Sequence, residues 1–426
     1  MLPSNNNMLD LSKSTNKREA AGRMSFVVLL VSQLAATAGF MFVMPFMPLY
    51  VQQLGVESAG RAAAWAGLLN TATAATMALT APLWGRLADR FGPKSMLLRA
   101  TLAGSVVVGL MGLVTAPWQL LGLRLLQGTL TGTVAAATVL VSATAPAGRE
   151  GQRLGVLQTV IFVAAGAGPF MGGLFADLVG IRASFGVTAA LLAASGVLVL
   201  FGVGDARDAR EKASDEGVGE GEPLPYGRLA PMLLALFVVH ASLTGVIPAL
   251  PGFISSLVED PAGVASLAGR IIGAAALAAA LGSFVGGRLA ARFGPRAVVT
   301  GALALAGLTF LPQAGVESVA QLWALRIAAS FFLGAIIPVA NLAVRSSVAP
   351  VRQGAAFGVA ASVTSAAFGL GPLGGGLLAA SFGFGAPFLV PGFVLIGASF
   401  ALLAMVVLSR RRYGKLFKQV LAHLVQ

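Results

Sequence analysis

Long uncharged runs of apolar residues alternate along the chain with short charged segments. A helix that crosses the apolar core of a bilayer, about 30 Å thick, needs roughly 20 such residues. The runs at 24–56, 154–176 and 229–258 reach that length, and the interval 353–409 has no charged residue and is long enough for two such helices. Because backbone N–H and C=O groups cannot stay unpaired in lipid, these runs predict helices. The pattern therefore predicts an all-α integral membrane protein.

Twelve transmembrane helices are predicted when the spans that contain a single arginine are included. They lie at 25–50, 62–83, 95–115, 119–142, 153–178, 183–203, 229–256, 265–286, 297–315, 320–343, 354–380 and 387–408. The segment 205–228, rich in glycine and acidic residues, predicts a flexible linker between two six-helix bundles at 23–204 and 229–409. Residues 1–22 are predicted to be a disordered tail and residues 410–426 a basic tail.

The net charge of +13 is distributed by side of the membrane rather than in one patch. Of the 29 lysines and arginines, only Arg61, Arg182 and Arg270 fall on the predicted outer side. Arg124 and Arg326 lie within predicted spans. This bias follows the positive-inside rule and predicts that both termini and the linker are cytoplasmic. A nucleic-acid-binding surface would not alternate with helix number, so no nucleic-acid partner is predicted.

The side chains that catalysis requires are scarce in this chain. It has no cysteine, two histidines (His240 and His423) and no acidic residue in the central part of any predicted span. An integral-membrane enzyme would need paired carboxylates, a metal cluster or a nucleophile with its base. We therefore predict no enzymatic activity, no metal site and no cofactor.

Four short segments of the first half recur in the second half. GRLADRFGPK at 85–94 returns as GRLAARFGPR at 287–296, in each case after the second helix of its half. The other pairs are PFMP at 45–48 with PALP at 248–251, Arg124 with Arg326, and GAGPFMGG at 166–173 with GLGPLGGG at 369–376. All offsets are 202 or 203 residues. The two bundles are therefore predicted to be pseudosymmetric, and two parallel six-helix repeats are the architecture of a large class of membrane transporters.

These segments resemble the signatures of the major facilitator superfamily, and specifically of its twelve-helix drug–proton antiporter branch, the bacterial multidrug efflux transporters. GRLADRFGPK is similar to the loop signature that follows helix 2, and LRLLQGTLTG at 123–132 to the helix 4 signature. The helix 5 antiporter signature is matched in spacing by Gly155, Ala164, Gly168, Pro169, Gly172 and Gly173, with Ala164 in place of its second glycine. The match extends from about residue 26 to residue 412.

The resemblance implies a cytoplasmic gate in the loop after helix 2. Its residues are Gly85, Asp89, Arg90 and Gly92. Asp89 is implied to pair with an arginine and a helix N-terminus of the other half. Ala291 stands at the position of Asp89 in the second copy, so this contact is expected from the first copy only. Alternatively, the basic residues of the loop only keep it in the cytoplasm.

Paired hinges are implied in helices 5 and 11. The residues concerned are Gly168, Pro169, Gly172, Gly371, Pro372 and Gly375. A proline removes one backbone donor, and glycines let a neighbouring helix approach closely. The same residues also suit dense helix packing without a role in motion.

Helices 1, 4, 7 and 10 line the central path of this superfamily, so their polar and polarisable residues are candidates for the substrate cavity. They are Gln33, Thr37, Phe40, Met41, Met44, Arg124, His240 and Arg326. Methionine and aromatic side chains adapt to ligands of different shape. Packing against lipid or protein is the alternative for the methionines, and extension to the outer membrane interface is the alternative for the arginines.

Proton coupling lacks its usual carboxylate. Antiporters of this branch commonly carry a buried acid in helix 1, in helix 4 or in the second half, and here the interiors of helices 1 and 4 have none. His240, near the middle of helix 7, is the one side chain deep in a span that titrates near neutral pH and is the first candidate carrier. Arg124 and Asp177 are further candidates. Alternatively, His240 bonds a neighbouring helix and does not titrate.

The resemblance implies a secondary active transporter that exports amphiphilic drugs or related small organic compounds by proton antiport with alternating access. It would act as a monomer in the bacterial cytoplasmic (inner) membrane. The charges of the predicted spans, arginines without a central acid, also fit a transporter of organic anions or metabolites, or a lipid flippase, on the same fold and without proton coupling.

Overall fold

The structure is a computed structural model that describes residues 5–146, 149–203, 224–260, 262–349 and 352–424. Within those ranges every regular element is helical. Most of the predicted linker, residues 205–223, lies outside the described residues, as do the first residues of the predicted N-terminal tail and the last of the C-terminal one. The assignment of these segments stays a prediction.

Fifteen α-helices occur in the described part of the chain. In order they are α1 (Asn5–Phe42), α2 (Met47–Gln53), α3 (Ala59–Phe91), α4 (Pro93–Met111), α5 (Pro117–Leu130), α6 (Thr133–Thr144), α7 (Glu150–Val179), α8 (Ile181–Gly202), α9 (Tyr226–Gly245), α10 (Leu250–Ser255), α11 (Val264–Phe293), α12 (Pro295–Phe310), α13 (Val319–Ser346), α14 (Gln353–Phe382) and α15 (Ala386–Leu424). A 3-10 helix, Leu311–Gly315, follows α12. The predicted all-α membrane fold is confirmed.

Ten helices among the described residues are long and apolar enough to cross a membrane. They correspond to ten of the twelve predicted spans. The second predicted span corresponds to α3, which has 33 residues but carries Arg61, Asn70 and a row of threonines. The fourth predicted span is divided into α5 and α6, of 14 and 12 residues, each shorter than the roughly 20 residues of a bilayer crossing.

Three spans that the sequence predicts as continuous helices are divided in the structure. The first predicted span separates into α1 and α2 and the seventh into α9 and α10, beside the prolines of segments 45–48 and 248–251. Two of these prolines, Pro48 and Pro251, are the second residues of α2 and α10, where the N–H that proline lacks would have no partner within the helix. The fourth span breaks at Thr131 and Gly132, where Gly132 has a φ of 135°, a conformation that favours glycine.

The chain forms two compact units. The first unit contains residues 1–55 and 72–218, and the second contains residues 56–71 and 219–426. The beginning of α3 therefore packs with the second unit, where its Gly67 lies against the backbone of Pro372 in α14. The predicted boundary at the linker stays a prediction.

The core of the first unit joins five helices. Leu29 of α1, Leu97 of α4, Leu140 of α6, Leu157 of α7 and Val199 of α8 are almost fully buried and form one cluster. These leucines and the valine hold the helices together by burial of apolar area.

The second unit has a helix pair in backbone contact, α11 with α13. Gly286 of α11 lies against the backbone of Ala335, and Gly334 of α13 lies against the backbone of Ala279. A Cβ atom at either glycine would overlap the opposing backbone, so this pair depends on small residues. The contact fixes the position of α13, which carries Arg326.

Large apolar side chains are also exposed on the outer surface of each unit. Phe201, Leu79 and Phe382 are 82%, 79% and 77% exposed. Soluble monomers rarely expose apolar surface on this scale, whereas a surface that faces lipid has no reason to avoid it.

Candidate functional site

The glycines predicted to form a hinge in helix 5 lie at a tight contact between α7 and α1. A Cβ atom on Gly168 would lie 2.6 Å from the carbonyl oxygen of Ala38. A Cβ atom on Gly172 would overlap the backbone of Phe42. Both positions therefore require glycine because the backbone of α1 occupies the space of a side chain.

The same contact recurs in the second unit, between α14 and α9. A Cβ atom on Gly371 would lie 2.8 Å from the carbonyl oxygen of Ala241, and one on Gly375 would overlap the backbone of Gly245. Each of these residues follows its counterpart in the first unit by 203 positions. The internal repeat is thus reproduced at the level of individual helix contacts.

Pro169 and Pro372 lie inside α7 and α14, which continue through them. Each proline removes one backbone hydrogen bond from its helix. Dense packing of the adjacent glycines is what the structure shows, and movement about the prolines stays a prediction.

The predicted cavity residues of helix 1 point toward different neighbours. The Gln33 side chain is fully buried and donates from Nε2 to the Thr133 carbonyl, at 3.4 Å. The Phe40 ring packs against Gly104 of α4, whereas Met41 packs against Gly168 of α7. Thr37 is buried and its hydroxyl has no partner among the described residues.

Met44 lies in the turn between α1 and α2 and is partly buried. It follows Phe42, the last residue of α1, by two positions. The structure therefore brings the helix 1 candidates to one segment of α1 and its end, but not to one common face.

Arg124 of α5 is buried inside the first unit, with 5% of its surface exposed. Its Nη1 donates to Oε1 of Gln127 at 3.1 Å, and its Nη2 lies 3.7 Å from Sδ of Met47. Its Nε has no partner within the described residues. The guanidinium is thus held by a neutral amide of its own helix and by the first residue of α2, and it is buried.

Arg326 of α13 occupies the equivalent position in the second unit and is also 5% exposed. Its Nη2 donates to the carbonyl of Leu243, in the last turn of α9, at 3.1 Å. Its guanidinium lies 5.2 Å from the ring centre of Phe310. Its Nη1 is buried without a partner in the described part of the chain.

His240 of α9 is 9% exposed and bonded to its own helix. Its Nδ1 lies 2.8 Å from the carbonyl oxygen of Leu236, which makes Nδ1 the donor and leaves Nε2 as the acceptor of the neutral ring. The ring of Phe368 packs at 5.3 Å between centres. Asp177, the other titratable candidate, lies exposed near the end of α7.

The loop signatures place a glycine of unusual conformation between two helices. Gly92, with φ 83°, precedes Pro93 at the start of α4, and Gly294, with φ 84°, precedes Pro295 at the start of α12. Gly85 lies inside α3, and a Cβ atom there would meet nothing within 4 Å.

Of Asp89 and Arg90, two residues of the predicted gate, the structure describes only the side chain of Arg90. The Arg90 side chain is exposed and its guanidinium lies 5.5 Å from the ring centre of Phe91. The side chain of Asp89 lies outside the described residues, so its pairing stays a prediction.

A cluster beside this loop was missed by the sequence analysis. Nε1 of Trp84 donates to the carbonyl of Thr129 at 2.6 Å, and the guanidinium of Arg99 lies 3.3 Å from the Trp84 ring centre. The contacts join α3, α4 and α5. Nothing in the spacing of these residues links them, because they come from three different helices.

Comparison with known proteins decides the family. The model of the Major Facilitator Superfamily matches residues 29–231 and 232–421. The chain belongs to the Major Facilitator Superfamily. The predicted superfamily is therefore confirmed, and with it a multi-pass membrane protein of a transporter family.

Curated relatives within the superfamily are multidrug resistance proteins. The chain is 34% identical over 374 residues to multidrug resistance protein MdtG of Dickeya zeae (strain Ech586), a match that covers 86% of this chain and 91% of the relative. MdtG of Klebsiella pneumoniae (strain 342) is 34% identical over 378 residues, which cover 86% of this chain and 90% of the relative.

Solved structures confirm the fold at low sequence identity. The nucleoside transporter NupG superposes with a TM-score of 0.70 at 15% identity and covers 89% of this chain and 98% of its own. The human organic anion transporter MFSD10 superposes with a TM-score of 0.63 at 17% identity and covers 89% and 99%.

Proposed function

We propose that the protein is a secondary active transporter that exports amphiphilic drugs or related small organic compounds. The observation that carries this proposal is the 34% identity to MdtG multidrug resistance proteins over nearly the whole of both chains. The repeated contacts of α7 with α1 and of α14 with α9 support it, because a pseudosymmetric pair of bundles suits alternating access.

The transporter lies in the cytoplasmic membrane of a bacterium, acts as a monomer and has both termini in the cytoplasm. The positive-inside bias of the basic residues supports this orientation. The loop of Gly85, Asp89, Arg90 and Gly92 closes the cytoplasmic side, and its glycine turn supports a fixed geometry there.

Substrate export is coupled to proton entry, with His240 as the carrier. Its burial in α9 and the acceptor nitrogen left by the bond to Leu236 support this role, because a neutral imidazole can take up one proton at Nε2. Arg124 and Asp177 are the remaining candidates. Pro169 and Pro372 provide the weak points at which α7 and α14 bend during the cycle.

Dye uptake into inverted membrane vesicles tests the proposal. With an imposed pH gradient, acid inside, vesicles that contain the protein should accumulate an amphiphilic dye such as ethidium, and a protonophore should abolish the accumulation. His240→Ala should remove gradient-driven accumulation and retain downhill exchange of dye. His423→Ala, which changes the other histidine, is the matched control and should behave as wild type.

Accumulation equal to that of vesicles without the protein would contradict export. Gradient-driven uptake that survives in His240→Ala would contradict the role of this histidine and leave export intact.

A further inference from the structure

Three buried polar atoms on α13 have no hydrogen-bond partner within the described residues. They are Nε1 of Trp323, Nη1 of Arg326 and the hydroxyl oxygen of Ser330. Arg326 is 5% exposed and Ser330 is fully buried, whereas Trp323 is partly buried with its nitrogen covered. Buried polar groups are nearly always paired, so three orphans on one helix need an explanation.

The three residues lie on one face of α13. At about 100° per residue, positions 323, 326 and 330 fall within an arc of about 60°. Side chains on a helix lean toward its N-terminus, so the Ser330 hydroxyl lies over the turn that carries Arg326. The three residues therefore form one row along the helix.

The row consists of hydrogen-bond donors. An indole N–H and a guanidinium only donate, and a serine hydroxyl donates as well as accepts. A group that satisfies all three must be rich in acceptors, and the guanidinium adds a preference for negative charge. A carboxylate, phosphate or phosphonate meets both requirements.

The first unit lacks this row. Gly128 stands at the position of Ser330 and Leu121 at the position of Trp323, at the offset of 202 residues. The Nη1 of Arg124 is already bonded to Gln127. Nε of Arg124 is also unpaired, but no second unpaired side-chain atom lies on α5 within the described residues. The group of three unpaired donors is therefore a property of α13 and not of the repeat.

We propose that Trp323, Arg326 and Ser330 form a binding subsite for the anionic group of an amphiphilic substrate, a carboxylate, phosphate or phosphonate. The inference rests on the proposed export function and names the substrate class. The ring of Phe310, 5.2 Å from the guanidinium, offers the apolar surface that such a substrate also needs. The three atoms are closed off from solvent in this structure, so a ligand reaches them in the open state that the proposed alternating access requires.

Binding to the purified full-length protein in nonionic detergent tests the subsite without transport. The probe is 5-carboxyfluorescein, followed by fluorescence anisotropy, with ethidium as the cationic comparison. Trp323→Phe and Ser330→Ala should each weaken carboxyfluorescein binding about tenfold, and Arg326→Gln about a hundredfold, while ethidium binding stays within about twofold. Trp118→Phe, a change at a tryptophan that is 69% exposed, is the matched control and should change neither.

The two mild variants keep the test valid if Arg326→Gln does not fold. Equal loss of both dyes, or no loss of carboxyfluorescein in Trp323→Phe and Ser330→Ala, would overturn the proposal. Displacement of carboxyfluorescein by benzoate supports a substrate subsite. Displacement by phosphatidylglycerol micelles and not by benzoate would assign the row to a lipid headgroup and overturn it.

The outcomes also separate this inference from the proposed function. Binding that depends on the three residues, in a protein that moves no dye in vesicles, would leave the subsite in place and contradict export. Export of carboxyfluorescein that is equal in wild type and all three variants would contradict the subsite alone.

Discussion

Arg124 and Arg326 occupy equivalent positions in the two units, and both are 5% exposed. Their surroundings differ. Arg124 bonds the amide of Gln127 one turn along its own helix and keeps Nε unpaired, whereas Arg326 bonds a carbonyl of α9 and keeps Nη1 unpaired. The repeat has kept the position of a buried charge, and the neighbours decide which nitrogen of the guanidinium stays unpaired. Of the two helices, only α13 carries further unpaired donors among the described residues, at Trp323 and Ser330.

The helices that carry the two arginines, α5 and α13, also differ in length. α5 ends at Leu130, and the Thr131 hydroxyl bonds the carbonyl of Gln127 at 2.8 Å. α13 continues without interruption from Val319 to Ser346. In the first unit the Thr131 hydroxyl therefore bonds a carbonyl at the end of the helix. In the second unit the polar residues Trp323, Arg326 and Ser330 lie along one uninterrupted helix.

The largest effect is expected from substitutions that test how far the two units match. Gly172→Ala and Gly375→Ala each place a methyl group into opposing backbone and should lower the free energy of unfolding by about 3 kcal/mol. Gly155→Ala and Gly358→Ala, in the same helices but with open space around the Cβ position, are the controls and should be neutral or stabilise by up to about 1 kcal/mol. Thermal unfolding in detergent measures all four, and equal melting temperatures would refute the packing account.

A smaller effect is expected where the two arginines differ. Gln127→Leu removes the neutral acceptor of Arg124 and should destabilise the protein by about 1.5–3 kcal/mol. The equivalent position in the second unit is Ala329, which has no polar atom to lose, so Ala329→Gly should cost only about 1 kcal/mol through helix propensity. The same thermal assay applies, and a Gln127→Leu protein as stable as wild type would show that Arg124 does not need this bond.

The smallest effect is expected at the loop signatures. Gly92→Ala and Gly294→Ala force alanine into a backbone region reserved for glycine, which costs of order 1–3 kcal/mol in each unit. Gly85→Ala and Gly287→Ala, whose Cβ positions are open, serve as controls. A loss in one unit and not in the other would show that the two loops are not equivalent.

Much of the fold could be predicted because lipid leaves few choices. Apolar length alone indicates a helix, and the repeated GAGPFMGG and GLGPLGGG segments indicate tight helix contacts. The divisions between α1 and α2, α5 and α6, and α9 and α10 could not be predicted, because the proline or glycine in each span is also compatible with a continuous, kinked helix.

The assignment of the candidate residues to a substrate cavity stays a prediction, and their bonding partners could not be predicted. Arg124 and Arg326 were predicted to line that cavity, and the structure shows that both side chains are buried. The partners of the two guanidinium groups include atoms of other helices. They are Sδ of Met47 for Arg124 and the backbone carbonyl of Leu243 for Arg326. The row of unpaired donors on α13 could not be predicted, because the structure is needed to show that Trp323, Arg326 and Ser330 have atoms without a partner among the described residues.

Gradient-driven uptake of an anionic and a cationic dye by inverted vesicles tests whether Arg326, and not Arg124, selects anionic substrates. Wild type, Arg124→Gln and Arg326→Gln are compared side by side. Wild-type vesicles should accumulate both carboxyfluorescein and ethidium. Arg326→Gln should lose carboxyfluorescein uptake and keep ethidium uptake, because Arg326 receives the anionic group together with Trp323 and Ser330. Arg124→Gln should weaken the uptake of both dyes to the same degree, because its partner is internal. Equal behaviour of the two variants toward both dyes, or no uptake by wild type, would contradict this account.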